Sequence, residues 1–167
     1  MRIRPEAPGD HAGVRAVNVA AFEAPAEADL VDALRAQARP LVSLVAAEAG
    51  VIVGHIMFSP VTLPGHPALA LTGLAPVAVT PARQRAGIGA ALVRAGLEAC
   101  RRLAADAVVV LGHPDYYPRF GFAPGVRSGL GCEYDVSAEA FMVLELRPGP
   151  LPGASGKVQY HGAFASL

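Results

Sequence analysis

The chain has 167 residues, the length of one compact unit, so residues 1–167 are expected to form a single domain and a multidomain assembly is not expected. Apolar types make up 53% and charged types 17%, which supplies a sizeable core and excludes the composition of a disordered chain. Fourteen Lys plus Arg balance fourteen Asp plus Glu, so no global basic field argues for nucleic acid or an anionic membrane surface, and any bound anion must be held by local geometry.

In chain order, residues 2–4 around Ile3 read as a short strand. Gly9 and Asp10 then offer a turn and an N-cap for a helix to about Phe22, with Val14, Val17, Ala21 and Phe22 on its apolar face. A second helix follows Pro25. Leu30, Val31 and Leu34 recur at helical spacing, with Glu27 and Asp29 in the first turn and Arg35 and Arg39 near the end, a charge order that suits the helix dipole. The Val- and Ile-rich runs 42–47 and 51–58, separated by Gly50, predict an antiparallel hairpin. After a loop over 60–67, residues 69–79 predict a strand with an irregularity at 73–76.

A long helix follows over 87–103, with Ile88, Leu92, Ala95 and Ala99 as its buried stripe and Arg94, Glu98, Arg101 and Arg102 on its wet side. The wholly apolar run 107–111 has the pattern of a central strand, and 141–146 alternates as another. Residues 149–156 form a Gly/Pro-rich connector, and 158–164 predict a terminal strand, so 149–167 is a connector plus a last strand. The class is mixed α/β (α+β).

No Asp, Glu, Lys or Arg lies between Glu48 and Arg83, a stretch of 34 residues that on charge alone resembles a membrane segment. Pro60, Pro64, Gly65, Pro67, Gly73 and Pro76 interrupt it too often for the roughly 20 continuous helical residues a span needs, so no membrane insertion is expected. Pro5, Glu6, Pro8 and Asp10 stand where a signal peptide needs an apolar core, and a cytoplasmic location is expected. Cys100 and Cys132 lack the paired spacing of a metal site, so no metal is expected and reduced thiols are the default reading. Cys132 has an acid beside it and no evident base, which argues against an activated thiolate.

The most informative segment runs Val77-Ala78-Val79-Thr80-Pro81-Ala82-Arg83-Gln84-Arg85-Ala86-Gly87-Ile88-Gly89-Ala90. A strand ends, a loop carries two glycines, and an amphipathic helix begins. Backbone amides at a helix start have no internal partner and sit at the positive end of the dipole, so they can hold a pyrophosphate without lysine. A dinucleotide fingerprint needs a third glycine where Leu92 stands, and a P-loop needs a Gly-Lys-Ser/Thr that is absent.

Gln84-Arg85-Ala86-Gly87-Ile88-Gly89 resembles the Gln/Arg-x-x-Gly-x-Gly/Ala signature of the GNAT superfamily of acyl-CoA-dependent N-acyltransferases. About 30 residues on, Gly112-His113-Pro114-Asp115-Tyr116-Tyr117-Pro118-Arg119-Phe120-Gly121-Phe122 resembles the second signature, in which a tyrosine four residues before Gly-Phe opens a short helix beneath the coenzyme sulfur. Gly54-His55 and Gln159-Tyr160 further resemble a small branch of bacterial N-acetyltransferases in that superfamily.

The resemblance implies a mixed, mostly antiparallel sheet of about seven strands, flanked by helices and splayed between the strand ending at Val79 and the strand ending at Leu111. Acetyl-CoA would serve as cosubstrate in the splay. The main chain of Val77, Ala78 and Val79 would bond the pantetheine and thioester, residues Arg85, Ala86, Gly87, Ile88, Gly89 and Ala90 would cradle the pyrophosphate, and Gln84 would assist. The amine acceptor would enter from the opposite side, between the first two helices and the hairpin. Edge strands at the C-terminus are where chains of this superfamily commonly pair into homodimers.

Transfer from a thioester to an amine needs a neutral amine and a proton for the departing thiolate. A phenol with pKa near 10 is protonated at neutral pH and can donate to sulfur, so Tyr117 is the choice for general acid, with core packing under the Gly121-Phe122 turn as its other reading and Tyr116, one residue off the spacing to Gly121, as the other candidate. Many relatives carry a glutamate on the strand before the coenzyme loop, and residues 69–80 have no carboxylate or histidine. The base then falls to Glu27, His55 or a water chain; a first-turn role favouring the dipole and a hydrogen-bonded core role stand beside catalysis for the first two. The function that follows is acetyl-CoA-dependent transfer of an acetyl group to a primary amine of a small molecule or peptide. An acyl-CoA-binding or regulatory module without efficient turnover and a phosphate-binding module unrelated to CoA are the competing readings.

Overall fold

Nine strands and three α-helices arise from the apolar runs, in a computed structural model that describes residues 1–167. In chain order the helices and first strands are β1 (Arg2–Pro5), α1 (His11–Phe22), α2 (Ala26–Gln37), β2 (Val42–Glu48), β3 (Val51–Val61), β4 (Leu71–Val79) and α3 (Ile88–Arg102). The remaining strands are β5 (Ala107–Leu111), β6 (Ala123–Pro124), β7 (Leu130–Cys132), β8 (Phe141–Glu145) and β9 (Gly156–Val158). Seven strands form one sheet in the order β1-β2-β3-β4-β5-β8-β6, in which only β4 and β5 run parallel, and β7 and β9 pair as a separate parallel ribbon.

Strand alternation divides the core. Leu44, Ile56, Phe58, Leu74, Val108 and Val110 face α3, while Val45 and Met57 face α1 and α2. Farther along that second face, Val61, Leu71, Val109 and Val143 are covered by the β7–β9 ribbon and the C-terminal segment. Two glycines let α3 lie close on the sheet. A Cβ at Gly54 would stand 2.9 Å from Leu92 Cδ1, and one at Gly96 would stand 2.2 Å from Phe58 Cε1.

The β2–β3 hairpin turns through Ala49 and Gly50, both at positive φ. The expected irregularity in β4 is a bulge: Ile56 pairs with Val77 and Phe58 with Leu74, so Met57 spans Ala75 and Pro76. Asp106, buried at the start of β5, accepts from the Ala70 amide at 2.8 Å and pairs with Arg147, which clamps β4 and β5 together at that end. No helix is long and apolar enough to cross a membrane.

Several details differ from expectation. Asp10 stands at the N-cap of α1, but its carboxylate bonds back to the Ala7 amide at 2.7 Å and to Arg4 rather than to the helix. Asn18, not Phe22, completes the buried face of α1, and Phe22 is exposed. The stripe of α3 runs through Leu92, Val93, Gly96, Leu97 and Cys100, with Ala95 and Ala99 at its flank. The chain after Val158 forms no terminal strand: it makes one bridge from Gln159 to Thr62 and then a 3-10 turn over Gly162–Ser166, which buries Phe164. Both cysteines are free and buried.

Candidate active site

The site is organised by a fork in the sheet. Pairing between β4 and β5 covers only Leu71↔Ala107, Thr72↔Val108 and Gly73↔Val109, after which β4 continues for six residues without that neighbour. The Thr80 amide bonds the Val53 carbonyl at 2.9 Å, so alternation turns the main chain of Thr80 and Ala78 toward β3 and that of Val77 and Val79 toward the open edge. Of the three β4 residues singled out from sequence, Ala78 is therefore turned away. The Val79 carbonyl receives Gln84 Nε2 at 3.0 Å, which ties the following loop to the end of the strand.

That loop carries two residues in the left-handed region, Arg85 at φ 63° and Gly87 at φ 88°. Gly87 is the N-cap of α3 and supplies no side-chain cap, and the first helical bond runs from the Ala91 amide to the Gly87 carbonyl at 3.0 Å. The amides of Ile88, Gly89 and Ala90 are left without helical partners. They border a cleft of about 410 Å³ whose walls include Arg83, Gln84, Arg85, Tyr116 and Arg119, with no carboxylate among its lining residues. The cleft thus combines the positive end of a helix dipole with the guanidinium groups of Arg85 and Arg119, while that of Arg83 is paired with Glu48 at 2.6 Å. Ala86 does not line it.

Sequence reasoning missed Arg83, Tyr116 and Arg119 as walls. Their signal was adjacency to the two signatures, and their direction depended on the turn. Arg119 lies over the Tyr116 ring at 4.3 Å from its centroid and donates Nε–H to the Tyr116 carbonyl at 2.8 Å, which holds both on the cleft. A Cβ at Gly89 would stand 3.7 Å from the Tyr116 hydroxyl oxygen.

Tyr117 opens a 3-10 turn, Tyr117–Phe120, and belongs to the α3-side core, with its ring edge-on to Tyr116 and Phe122. Gly112 makes room for it, because a Cβ there would lie 2.3 Å from Tyr117 Cε2. Burial first, and Tyr116 next, push its pKa up to about 12, so the phenol stays protonated. Asp115 and His113 are exposed beside it, and the His113 carbonyl accepts from the Tyr116 amide at 3.1 Å.

The two proposed bases occupy different surroundings on the opposite face. Glu27, in the first turn of α2, has its Oε2 sealed from solvent with no hydrogen-bond partner. His55 is fully buried: Nδ1 lies 3.2 Å from Asn18 Nδ2, and Nε2 lies 2.9 Å from Ser43 Oγ, which bonds Glu6 Oε1 at 3.2 Å. Glu6 is in turn held by Arg35 at 2.7 Å. This chain ties α1, β3, β2 and α2 together, and burial lowers the His55 pKa to about 4. His55 therefore has the hydrogen-bonded core position that stood beside catalysis as its alternative reading.

Past the fork, on the α1–α2 face, a second cavity of about 350 Å³ lies between the two strands. Ala75 and Leu111 form part of its floor, and Tyr134, Tyr160 and Phe164 its walls. The C-terminal segment, rather than the helices and the hairpin alone, closes this side. Among the residues of the chain no cluster of His, Cys, Asp and Glu has the grouping of a metal site.

The family model described as Acetyltransferase (GNAT) family matches residues 12–122. The uncharacterized N-acetyltransferase YhbS of Escherichia coli strain K12 is 38% identical over 165 residues, which cover 98% of each chain. The crystal structure of Escherichia coli YhbS in complex with CoA superposes with a TM-score of 0.91 at 36% identity, over 98% of this chain and 91% of that one. A GNAT family acetyltransferase from Brucella melitensis in complex with acetyl-CoA gives a TM-score of 0.81 at 41% identity, over 98% and 97% of the two chains. With the forked, mostly antiparallel sheet and the arginine-lined cleft at the start of α3, these matches make the chain a member of the GNAT family of N-acetyltransferases.

Proposed function

We infer that the protein transfers an acetyl group directly from acetyl-CoA to a primary amine. The observation that carries this reading is the continuity of the carboxylate-free cleft at the start of α3 with the open edge of β4. A polyanion fits the first, and an extended amide-bearing chain fits the second as an added strand. The relatives solved with CoA and acetyl-CoA support the same assignment of coenzyme. In this reading the amides of Ile88, Gly89 and Ala90 with Arg85 and Arg119 hold the pyrophosphate, and the main chain of Val77 and Val79 aligns the pantetheine and thioester.

The amine lone pair attacks the thioester carbonyl carbon, the C–N bond forms, the C–S bond breaks, the nitrogen loses a proton and the sulfur gains one. Tyr117 donates its phenolic hydrogen bond to the sulfur as charge develops there. A phenol at about 12 is a weaker acid than a thiol near 8.5, so it stabilises the leaving sulfur by hydrogen bonding, and the proton that neutralises the sulfur balances the one lost by the amine. Glu27 serves as base, on the strength of its sealed and unpartnered oxygen.

Calorimetry with acetyl-CoA, CoA and ATP, followed by CoA release with a panel of primary amines, tests the assignment. Selective acetyl-CoA binding with amine-dependent release is expected. Equal affinity for ATP would point to a general phosphate module, and selective binding with background release to an acyl-CoA-binding module.

A further inference from the structure

The cavity past the fork has a chemistry that the acetyl-transfer reading leaves unused. Eight residues line it, every one apolar or aromatic and none charged. Its position is fixed by strand pairing: Leu74 and Ala75 directly follow Gly73, the last β4 residue bonded to β5, and Leu111 ends β5 two residues past the last pair. It therefore adjoins the point where the two strands part, on the face away from α3.

Three rings dominate its walls. Tyr160 lies 5.7 Å from Tyr134 and 5.1 Å from Phe164 between ring centroids. Tyr160 is seated on the fork itself, because a Cβ at Gly73 would stand 3.1 Å from its Cε1 atom. Gly73 thus has a steric reason to be glycine, since its φ is not in the left-handed region. The Tyr160 hydroxyl is sealed from solvent and has no hydrogen-bond partner in the protein. Tyr160 therefore meets the chamber with carbon rather than with its hydroxyl.

An ammonium ion with a polar or cationic body would meet no counter-charge in this lining and would lose its hydration. A neutral amine on a flat apolar body loses little and gains contact with three rings. Desolvation also favours the neutral form of an amine, which is the nucleophilic one. The volume of about 350 Å³ lies at the small end of ligand pockets, enough for one ring with a short arm.

We propose that this chamber is the acceptor pocket and that it selects primary amines with a flat apolar body, an aralkylamine being the type, held by contact with the aromatic walls. The proposal rests on the acetyl-transfer reading for the location of the reacting carbonyl, and on the lining alone for the class of amine.

The test compares 2-phenylethylamine, ethanolamine and spermidine in two assays on the full chain: calorimetric binding in the presence of CoA, and CoA release from acetyl-CoA. Selectivity for 2-phenylethylamine on the order of tenfold or more in kcat/KM is expected, with KM carrying the difference. Ala75→Phe, which fills the floor, should abolish the preference while acetyl-CoA still binds and the thermal melt stays cooperative.

Binding of 2-phenylethylamine without turnover supports the chamber and defeats the transferase reading. Turnover with ethanolamine or spermidine equal to or better than 2-phenylethylamine overturns the chamber and leaves the transferase reading standing. A chamber that reads acyl length is overturned as an amine pocket: its mark is Ala75→Phe abolishing the use of octanoyl-CoA without altering amine preference.

Discussion

Acid should destabilise this protein through His55 before it does so through any carboxylate. The Asn18 side-chain nitrogen donates to the Val14 carbonyl at 2.9 Å and also faces His55 Nδ1, so Nδ1 is the acceptor and the ring proton sits on Nε2, toward Ser43. A second proton on Nδ1 would point at an N–H group inside a core with no exposed surface. Burial, with Arg35 adding to it and Glu6 partly offsetting it, lowers the pKa from 6.5 to about 4. Between those values the unfolded chain takes up a proton that the folded one refuses. Stability is therefore full above about pH 6.5, falls as pH falls through the window and levels off below about 4. At about 1.4 kcal/mol per pH unit the gap amounts to about 3 kcal/mol. That is a large part of the 5–15 kcal/mol typical of a domain.

Asp106 acts in a separate range. Burial would raise its pKa, but the Ala70 amide and Arg147 hold it below 3.8, so its contribution is present above that value and is lost only as pH falls through the depressed one. Urea unfolding from about pH 7.5 down to about pH 4 measures the effect. His55→Gln should start less stable at neutral pH and change little across the window. A wild-type stability that stays flat between about pH 6.5 and 4, or a variant that falls as steeply as wild type, refutes the reasoning.

Three further outcomes concern the reaction. Tyr117→Phe should lower kcat on the order of a hundredfold while acetyl-CoA affinity by calorimetry stays within about twofold; unchanged turnover removes Tyr117 as the hydrogen-bond donor to the leaving sulfur. Gly87→Asp should abolish acetyl-CoA binding, since it adds a negative charge beside the free amides and a side chain at φ 88°, and Gly87→Ala, with open space around its Cβ, should weaken binding less. Glu27→Gln should lower kcat/KM for an alkylamine on the order of tenfold to a hundredfold near neutral pH, with recovery at alkaline pH as the free amine accumulates; a profile parallel to wild type assigns the proton to water.

The sheet, the hairpin and the glycine-bearing loop before α3 were legible because local rules determine them. Val- and Ile-rich runs flank Gly50, and two glycines stand between a strand and an amphipathic helix. The second signature likewise identified the turn at Tyr117. What was not legible depends on which surface covers which. Asn18 reads as a polar break in the face of α1, yet it is buried because it finds both the Val14 carbonyl and His55. Residues 158–164 have strand composition, but after Val158 the chain keeps a single bridge and turns Phe164 into the core against α2. The walls of the chamber, Tyr134, Tyr160 and Phe164, lie as many as 30 residues apart in sequence, and no periodicity connects them.

The missing glutamate on β4 has a physical reason in how that strand spends its side chains. Leu71 faces the ribbon-covered core, Gly73 lies under the Tyr160 ring, Leu74, Val77 and Val79 pack toward α3, and Ala75 floors the chamber. A carboxylate at position 71, 73 or 74 would be buried against carbon, where an unpaired charge costs several kcal/mol or more, and the half-buried positions 75, 77 and 79 hold Ala and Val. A strand that supplies a coenzyme edge and an apolar chamber floor has no side chain free to serve as a base. The proton must then leave through another element. Glu27 on α2 has its Oε2 sealed and unpartnered, on a helix whose Leu30 and Val31 share a core with Phe164 of the chamber wall. The apolar lining of the chamber lowers the demand on that carboxylate, because desolvation shifts an amine toward its neutral form before any base acts. The absence of a carboxylate on β4 and the apolar lining of the chamber are then two consequences of the same residues.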